Sequence, residues 1–159
     1  MLIIKPDSDF VNSPHYEEIK SLYRKFYEEE IALHNKINNG YVPEWSEFDT
    51  WLENMGKYGN VFLACTTTSE GVITGLIFFS IGYIDNVPMG LSLCMVYVAQ
   101  EHRRKGYATE LLEYVVQTAE ERNVPRIELT VVGVNLPAIK LYSKFGFFTS
   151  LYYMNRKVA

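Results

Sequence analysis

Apolar and polar positions alternate along this chain with two different periods, and the switches between them predict its elements. Over residues 14–38, Ile19, Leu22, Tyr23, Phe26, Leu33 and Ile37 recur at spacings of three and four, which predicts an amphipathic helix. Ser13 and Pro14, with Glu17 and Glu18 in the first turns, mark its start, and Asn38-Asn39-Gly40 marks its stop. A second apolar stripe, Trp45, Phe48, Trp51, Leu52 and Met55, predicts a helix over 45–55 that packs in the core or walls a cleft. Between 60 and 99 the helical period is lost. Runs of β-branched and aromatic residues predict strands over 60–67, 72–84 and 91–99, separated by a turn at Thr68-Ser69-Glu70-Gly71 and a loop over 85–90. Gly75 and Gly82 inside the middle strand predict a bulge or a close backbone approach. Leu2-Ile3-Ile4-Lys5 reads as a short first strand stopped by Pro6.

The helical period returns over 106–122, with Leu111, Leu112, Val115, Val116 and Ala119 inward and Glu110, Glu113, Glu120 and Glu121 largely outward. Asn123-Val124-Pro125 ends that helix. A strand over 126–132, a short helix over 135–144 closed by Gly146, and an aromatic-rich strand over 147–157 complete the pattern. Short connections between the three central strands predict antiparallel pairing. Strand, helix and strand in succession predict a right-handed crossover and a parallel pair. The fold class is therefore α/β (α+β type) with a mixed sheet, and without repeats or linkers residues 1–159 are expected to form a single domain.

Composition narrows the partners. A chain of 159 residues with 48% apolar content can bury a core without disulfide or metal staples. A formal net charge of −4 gives no general attraction for nucleic acid or anionic membranes, so neither is an expected partner and any anion site must be local. Cys65 and Cys94 lie in strand-like runs without metal-site spacing, which predicts reduced thiols and no metal. With no signal-like apolar run near residues 1–9 and none of membrane-spanning length, the expected location is the cytoplasm.

One such local anion site stands at 96–112. An apolar strand enters Gln100-Glu101-His102-Arg103-Arg104-Lys105-Gly106 and leaves as a helix with small first residues. A helix start presents backbone N–H groups without intrahelical partners and the positive end of the dipole, and three cationic side chains adjoin it here. Such a site suits a phosphate. Glu30 is the second unusual residue, because it falls on the same face as Phe26, Leu33 and Ile37. Either the helix end is partly exposed and the carboxylate solvated, or Glu30 faces a substrate cleft with His34 or Tyr27 and holds or deprotonates an amine. Glu44, Glu47, Asp49 and Glu53 form an acidic face that is solvated or favours cationic substrates.

Three segments carry a family resemblance. Arg103-Arg104-Lys105-Gly106-Tyr107-Ala108 fits a (Gln/Arg)-x-x-Gly-x-(Gly/Ala) signature, Asn135 to Tyr142 an Asn-x-x-Ala-x-x-x-Tyr segment, and Lys144-Phe145-Gly146-Phe147 the Gly-Phe that follows. In this order they resemble the GNAT superfamily of acyl-CoA-dependent N-acyltransferases.

The resemblance implies a splayed sheet of six or seven strands with helices on both faces, acetyl-CoA as cosubstrate and no metal. Backbone N–H groups of Arg103, Arg104, Lys105, Gly106, Tyr107, Ala108 and Thr109 would hold the pyrophosphate, with charge-assisted contacts from the three cations. Val96 and Val98 would pair with the pantetheine arm, and Asn135 would cap the short helix or touch the cofactor. Tyr142 takes the place of the general acid that protonates the leaving thiolate, and a phenol pKa near 10 suits that task. The strand carboxylate of many relatives is missing from Leu91 to Tyr97, which leaves Glu30, Glu128 or a water as base. Cys94 as a nucleophile lacks a histidine to activate it. The expected reaction is direct acetyl transfer in a ternary complex to a small cationic amine. Protein N-terminal or lysine acetylation, or a non-catalytic acyl-CoA-binding regulatory domain, are the alternatives, and the terminal aromatic strand is a candidate homodimer contact.

Overall fold

Five strands follow one another across a single sheet: β1 (Leu2–Ile4), β2 (Gly59–Thr67), β3 (Ile73–Ile84), β4 (Val87–Val98) and β5 (Ile127–Glu128). The first three pairings are antiparallel and the last is parallel, as the connections predict. The structure is a computed structural model that describes residues 1–4, 10–37, 47–56, 59–84, 87–152, 154 and 156. The stop at Asn38-Asn39-Gly40, Pro6, Trp45, and Asp85 and Asn86 of the expected loop lie outside them.

Helices cover both faces. On one, α1 (Tyr16–Ile37) and α2 (Phe48–Gly56) pack through Tyr16, Ile19, Leu22, Tyr23 and Phe48 onto Leu63, Cys65, Leu76, Phe78, Met95 and Tyr97. The opposite face holds α3 (Tyr107–Glu121), whose Leu111, Leu112, Val115 and Ala119 meet Ala64, Ile77, Phe79, Ile81, Leu91 and Leu93. Leu141, Tyr142 and Phe145 of and beside α4 (Leu136–Lys144) add to that second cluster. The buried stripe of α1 ends near Tyr23. Phe26, Tyr27, Glu30 and Leu33 are half-buried and Ile37 is exposed, so the C-terminal half of the helix leaves the core.

Gly75 confirms the expected close approach. A Cβ there would stand 2.8 Å from the Tyr97 carbonyl oxygen and 2.9 Å from Val98 Cγ2, so only glycine lets β3 and β4 meet at this point. The register also shifts beside Gly82, and this irregularity absorbs part of the expected 85–90 loop: β4 begins at Val87, with Ile84 opposite Val87 and Gly82 opposite Gly90. Pro88 reads as a strand breaker by propensity, yet a bulge is one of the few places where a ladder tolerates it.

A second bulge decides more. Phe78 pairs with Met95 and Phe79 with Leu93, so Cys94 is the extra residue on β4. Because side chains alternate across a strand, one extra residue moves all that follow to the other face. Leu91 and Leu93 accordingly pack in the α3 cluster, whereas Met95 and Tyr97 pack in the α1 cluster.

The sheet falls short of the expected six or seven strands, with five among the described residues. The strand expected over 126–132 is reduced to Ile127–Glu128, and none forms at 147–152, 154 or 156 of the expected terminal strand. β-propensity becomes a strand only where a neighbour satisfies the backbone. β5 pairs with Leu91 and Ser92 and with nothing further along β4, and Phe148, Leu151, Tyr152 and Met154 stay exposed.

Candidate active site

The end of β4 turns through a 3-10 segment, Gln100–His102, into α3. His102 and Arg103 donate their N–H groups back to the carbonyls of Ala99 and Gln100, at 2.8 and 3.3 Å, which uses up the donors of the first half of the turn. Beyond it the backbone changes hand: Arg104 has φ 63° and Gly106 φ 87°. Gly106 is the N-cap of α3 and offers no side-chain acceptor. Glu110 is the first residue to bond back, to the Gly106 carbonyl at 3.0 Å, so the N–H groups of Tyr107, Ala108 and Thr109 precede the first helical hydrogen bond. No atom would approach a Cβ on Gly106 within 4 Å, so glycine serves the left-handed conformation here and leaves the helix start open.

The three cations of this turn do different things. Arg104 is exposed and makes no side-chain hydrogen bond among the described residues. Lys105 Nζ donates to the Glu101 carbonyl at 3.2 Å. Arg103 is turned toward α1: its Nε donates to the Val98 carbonyl at 2.9 Å and one terminal nitrogen donates to both Glu29 oxygens at 2.7 Å. The expected phosphate contact from Arg103 thus meets a guanidinium that is already engaged.

Beside the turn the sheet opens. β4 and β5 pair at Leu91–Ile127 and Ser92–Glu128 and then part, so on the β5 side the backbone of β4 from Leu93 onward, Val96 and Val98 included, has no strand neighbour among the described residues. Asn135 caps α4, its side chain accepting from the Ala138 N–H at 3.4 Å, which realises the capping half of its expected role.

Glu30, on α1, and Tyr142, on α4, belong to helices on opposite faces of the sheet. Tyr142, on α4, has its pKa pushed up to about 12, first by burial and then by the negative charge of Glu30. Glu30, on α1, is half-buried and its pKa is raised by burial and then by Glu29. His34, one turn on, places Nε2 4.0 Å from Glu30 Oε2. A carboxylate and a phenol near enough for the charge of the first to raise the pKa of the second can take up a proton and supply one; a phenol pushed up to about 12 holds its proton more firmly than the unperturbed value anticipates.

The other expected candidates are engaged. Glu128 stands at the last pair before β4 and β5 part, and its Oε2 accepts from Arg126, two residues before it, at 2.8 Å. Burial raises the pKa of the Cys94 thiol, which donates to the Ser92 carbonyl at 3.2 Å, so it is not poised as a thiolate nucleophile. Among the described residues no group of three or more His, Cys, Asp or Glu could hold a metal ion, and no helix is long and apolar enough to cross a membrane. Sequence reading passed over Glu29 and Tyr97. Their signal was present in part, since Glu29 lies three residues after Phe26 and so near the same helical stripe.

Known proteins resemble this chain in sequence and in fold. A protein of Saccharolobus solfataricus named N-alpha-acetyltransferase is 31% identical over 118 residues, covering 70% of this chain and 71% of the relative. Among solved structures, a tetramutant of the BH1408 protein from Bacillus halodurans is similar with a TM-score of 0.73 at 16% identity, over 99% of this chain and 100% of that one. AAC(6')-Iy in complex with the bisubstrate analog CoA-S-monomethyl-acetylneamine is similar with a TM-score of 0.67 at 14% identity, over 99% and 97%. The sequence profile of the acetyltransferase (GNAT) family matches residues 16–147, from the start of α1 past Tyr142, and this chain belongs to that family.

Proposed function

We propose that this protein moves an acetyl group from acetyl-CoA to the α-amine of a polypeptide N-terminus in the cytoplasm. The observation that supports the reading is the parting of β4 and β5 after Ser92 and Glu128, beside a start of α3 that has no side-chain cap, together with the charge of Glu30 raising the pKa of Tyr142. The pyrophosphate sits on the N–H groups of Tyr107, Ala108 and Thr109, with Arg104 and Lys105 supplying charge, and the pantetheine arm lies along the β5-side edge of β4 at Val96 and Val98, where the Val98 carbonyl is already held by Arg103. Cys65 and Cys94, both free, suit a reducing compartment.

The neutral amine attacks the thioester carbonyl, a C–N bond forms and the C–S bond breaks. Glu30, directly or through a water, takes the proton from nitrogen; Tyr142 gives one to sulfur. The name of the Saccharolobus solfataricus relative supports an α-amine over the small cationic amine expected from the sequence. So does the chemistry. An α-amine has a pKa of roughly 7.7–8.0 against about 10.4 for lysine, so a useful fraction is neutral at pH 7 and a single carboxylate of raised pKa is base enough.

A thiol-release assay with acetyl-CoA tests this against three acceptors: a peptide with a free N-terminus, an Nα-blocked peptide containing lysine, and a small polyamine. The expected result is turnover on the first, with the acetyl group located on its α-nitrogen by mass spectrometry. Turnover confined to lysine or the polyamine would overturn the acceptor, and tight acetyl-CoA binding without turnover on any amine would leave a regulatory acyl-CoA-binding domain.

A further inference from the structure

We propose that Glu29, Arg103 and Tyr97 form a latch that ties the helix carrying Glu30 to the turn carrying Gly106, so that acetyl-CoA and the acceptor each sense whether the other side of the site is in place. The inference rests on the proposed acetyl-CoA reading and adds to it a positioning role for three residues.

Three elements meet in this one network. From α1, Glu29 receives the Arg103 guanidinium on both oxygens at 2.7 Å. From β4, the Tyr97 hydroxyl donates to the same Glu29 Oε1 at 2.9 Å. From the turn, Arg103 lies over the Tyr97 ring, 5.5 Å from its centroid, and holds the Val98 carbonyl through Nε. Phe26, one turn before Glu29, packs edge-on against the Tyr97 ring with centroids 6.3 Å apart. Burial and the Glu29 contact push the Tyr97 pKa up to about 12, so the hydroxyl stays a donor at any working pH.

The arrangement is directional in two respects. Glu30 follows Glu29 by about 100° around the helix, so the turn of α1 that grips Arg103 also sets the direction of the Glu30 carboxylate. Tyr97 can reach α1 only because the bulge at Cys94 has moved it onto that face. Glu29 and Arg103 are both more than two-fifths exposed, and an exposed ion pair contributes little to stability. What it can do is hold one geometry, because Arg103 has a fixed fork of donors and spends them on two different elements.

The test compares wild type, Glu29→Gln, Arg103→Gln, Tyr97→Phe and the Glu29→Gln/Arg103→Gln pair by calorimetric titration with acetyl-CoA and by steady-state kinetics. Glu29→Gln is expected to weaken acetyl-CoA binding roughly fivefold, although Glu29 belongs to the acceptor helix, and to raise the acceptor KM by a similar factor while kcat changes less. The double variant is expected to be no worse than the poorer single one, as coupled partners require. Tyr97→Phe keeps the ring and should show a smaller loss in the same direction. Circular dichroism melts of the Gln variants should match wild type. The latch is overturned by Glu29→Gln that binds acetyl-CoA as wild type does, or by losses that add in the double variant. A wild type that binds no acetyl-CoA would overturn the functional reading first, and the latch with it.

Discussion

The turn from Ala99 to Gly106 and the C-terminal half of α1 meet through Arg103 and Glu29, yet they are built from different material. The turn works through its backbone: left-handed Arg104 and Gly106 and the uncapped first residues of α3. The helix offers side chains, Glu29 toward Arg103 and Glu30, whose charge raises the pKa of Tyr142. A backbone site depends on a few consecutive residues and can be written as a short motif. A side-chain site depends on where a helix lies against a sheet, and no local spacing encodes that.

Four changes should break or sharpen this contrast, beginning with the largest effect. Deleting Cys94 removes the bulge and returns Met95 to Val98 to the wrong faces, so Tyr97 no longer meets α1. The expected outcome is loss of cooperative unfolding in a thermal melt; a deletion variant that melts like wild type would show that the bulge does not set the faces. Tyr142→Phe should leave acetyl-CoA affinity in place and lower kcat about a hundredfold, within the range of general acid catalysis. Wild-type kcat in this variant would remove the phenol from the reaction.

Gly106→Ala acts on the backbone half alone. An L side chain at φ 87° costs roughly 1–2 kcal/mol, and a turn that relaxes to avoid it disperses the N–H groups, so acetyl-CoA affinity should fall about tenfold with kcat at saturation little changed. The smallest effect is expected from Glu30→Gln on stability. Because the folded pKa of Glu30 is raised, its proton stabilises the fold below the unfolded carboxylate pKa, and that contribution is lost as pH rises through the folded value. Gln carries no such dependence, so the variant should melt slightly higher than wild type at pH 7, and the difference should vanish at acid pH. Its kcat/KM should fall and lose the acid limb that Glu30 gives the wild-type profile.

Legibility followed the same division. The boundaries of α3, its Gly106 cap and the Asn135 cap of α4 were readable because each is a local contest between backbone groups and the next few side chains. Glu30 could be singled out by its place on an apolar face, but both its solvated and its cleft-facing readings fitted the pattern. Strand ends were least readable. Val87 to Gly90 look like loop and pair with β3, whereas 129–132 look like strand and pair with nothing, since pairing depends on a neighbour that is distant in sequence.

By itself, the sequence determined the succession of elements from β1 to α4, the antiparallel and parallel connections, and the glycine turn that leads into α3. Only the tertiary structure decided that Cys94 is an extra residue, that Tyr97 and Arg103 turn to Glu29, and that the charge of Glu30 reaches Tyr142. The reason is physical. Helix starts and turns are settled by interactions among residues a few positions apart, while the facing of a strand and the partner of a charge are settled by packing between segments many tens of residues apart along the chain.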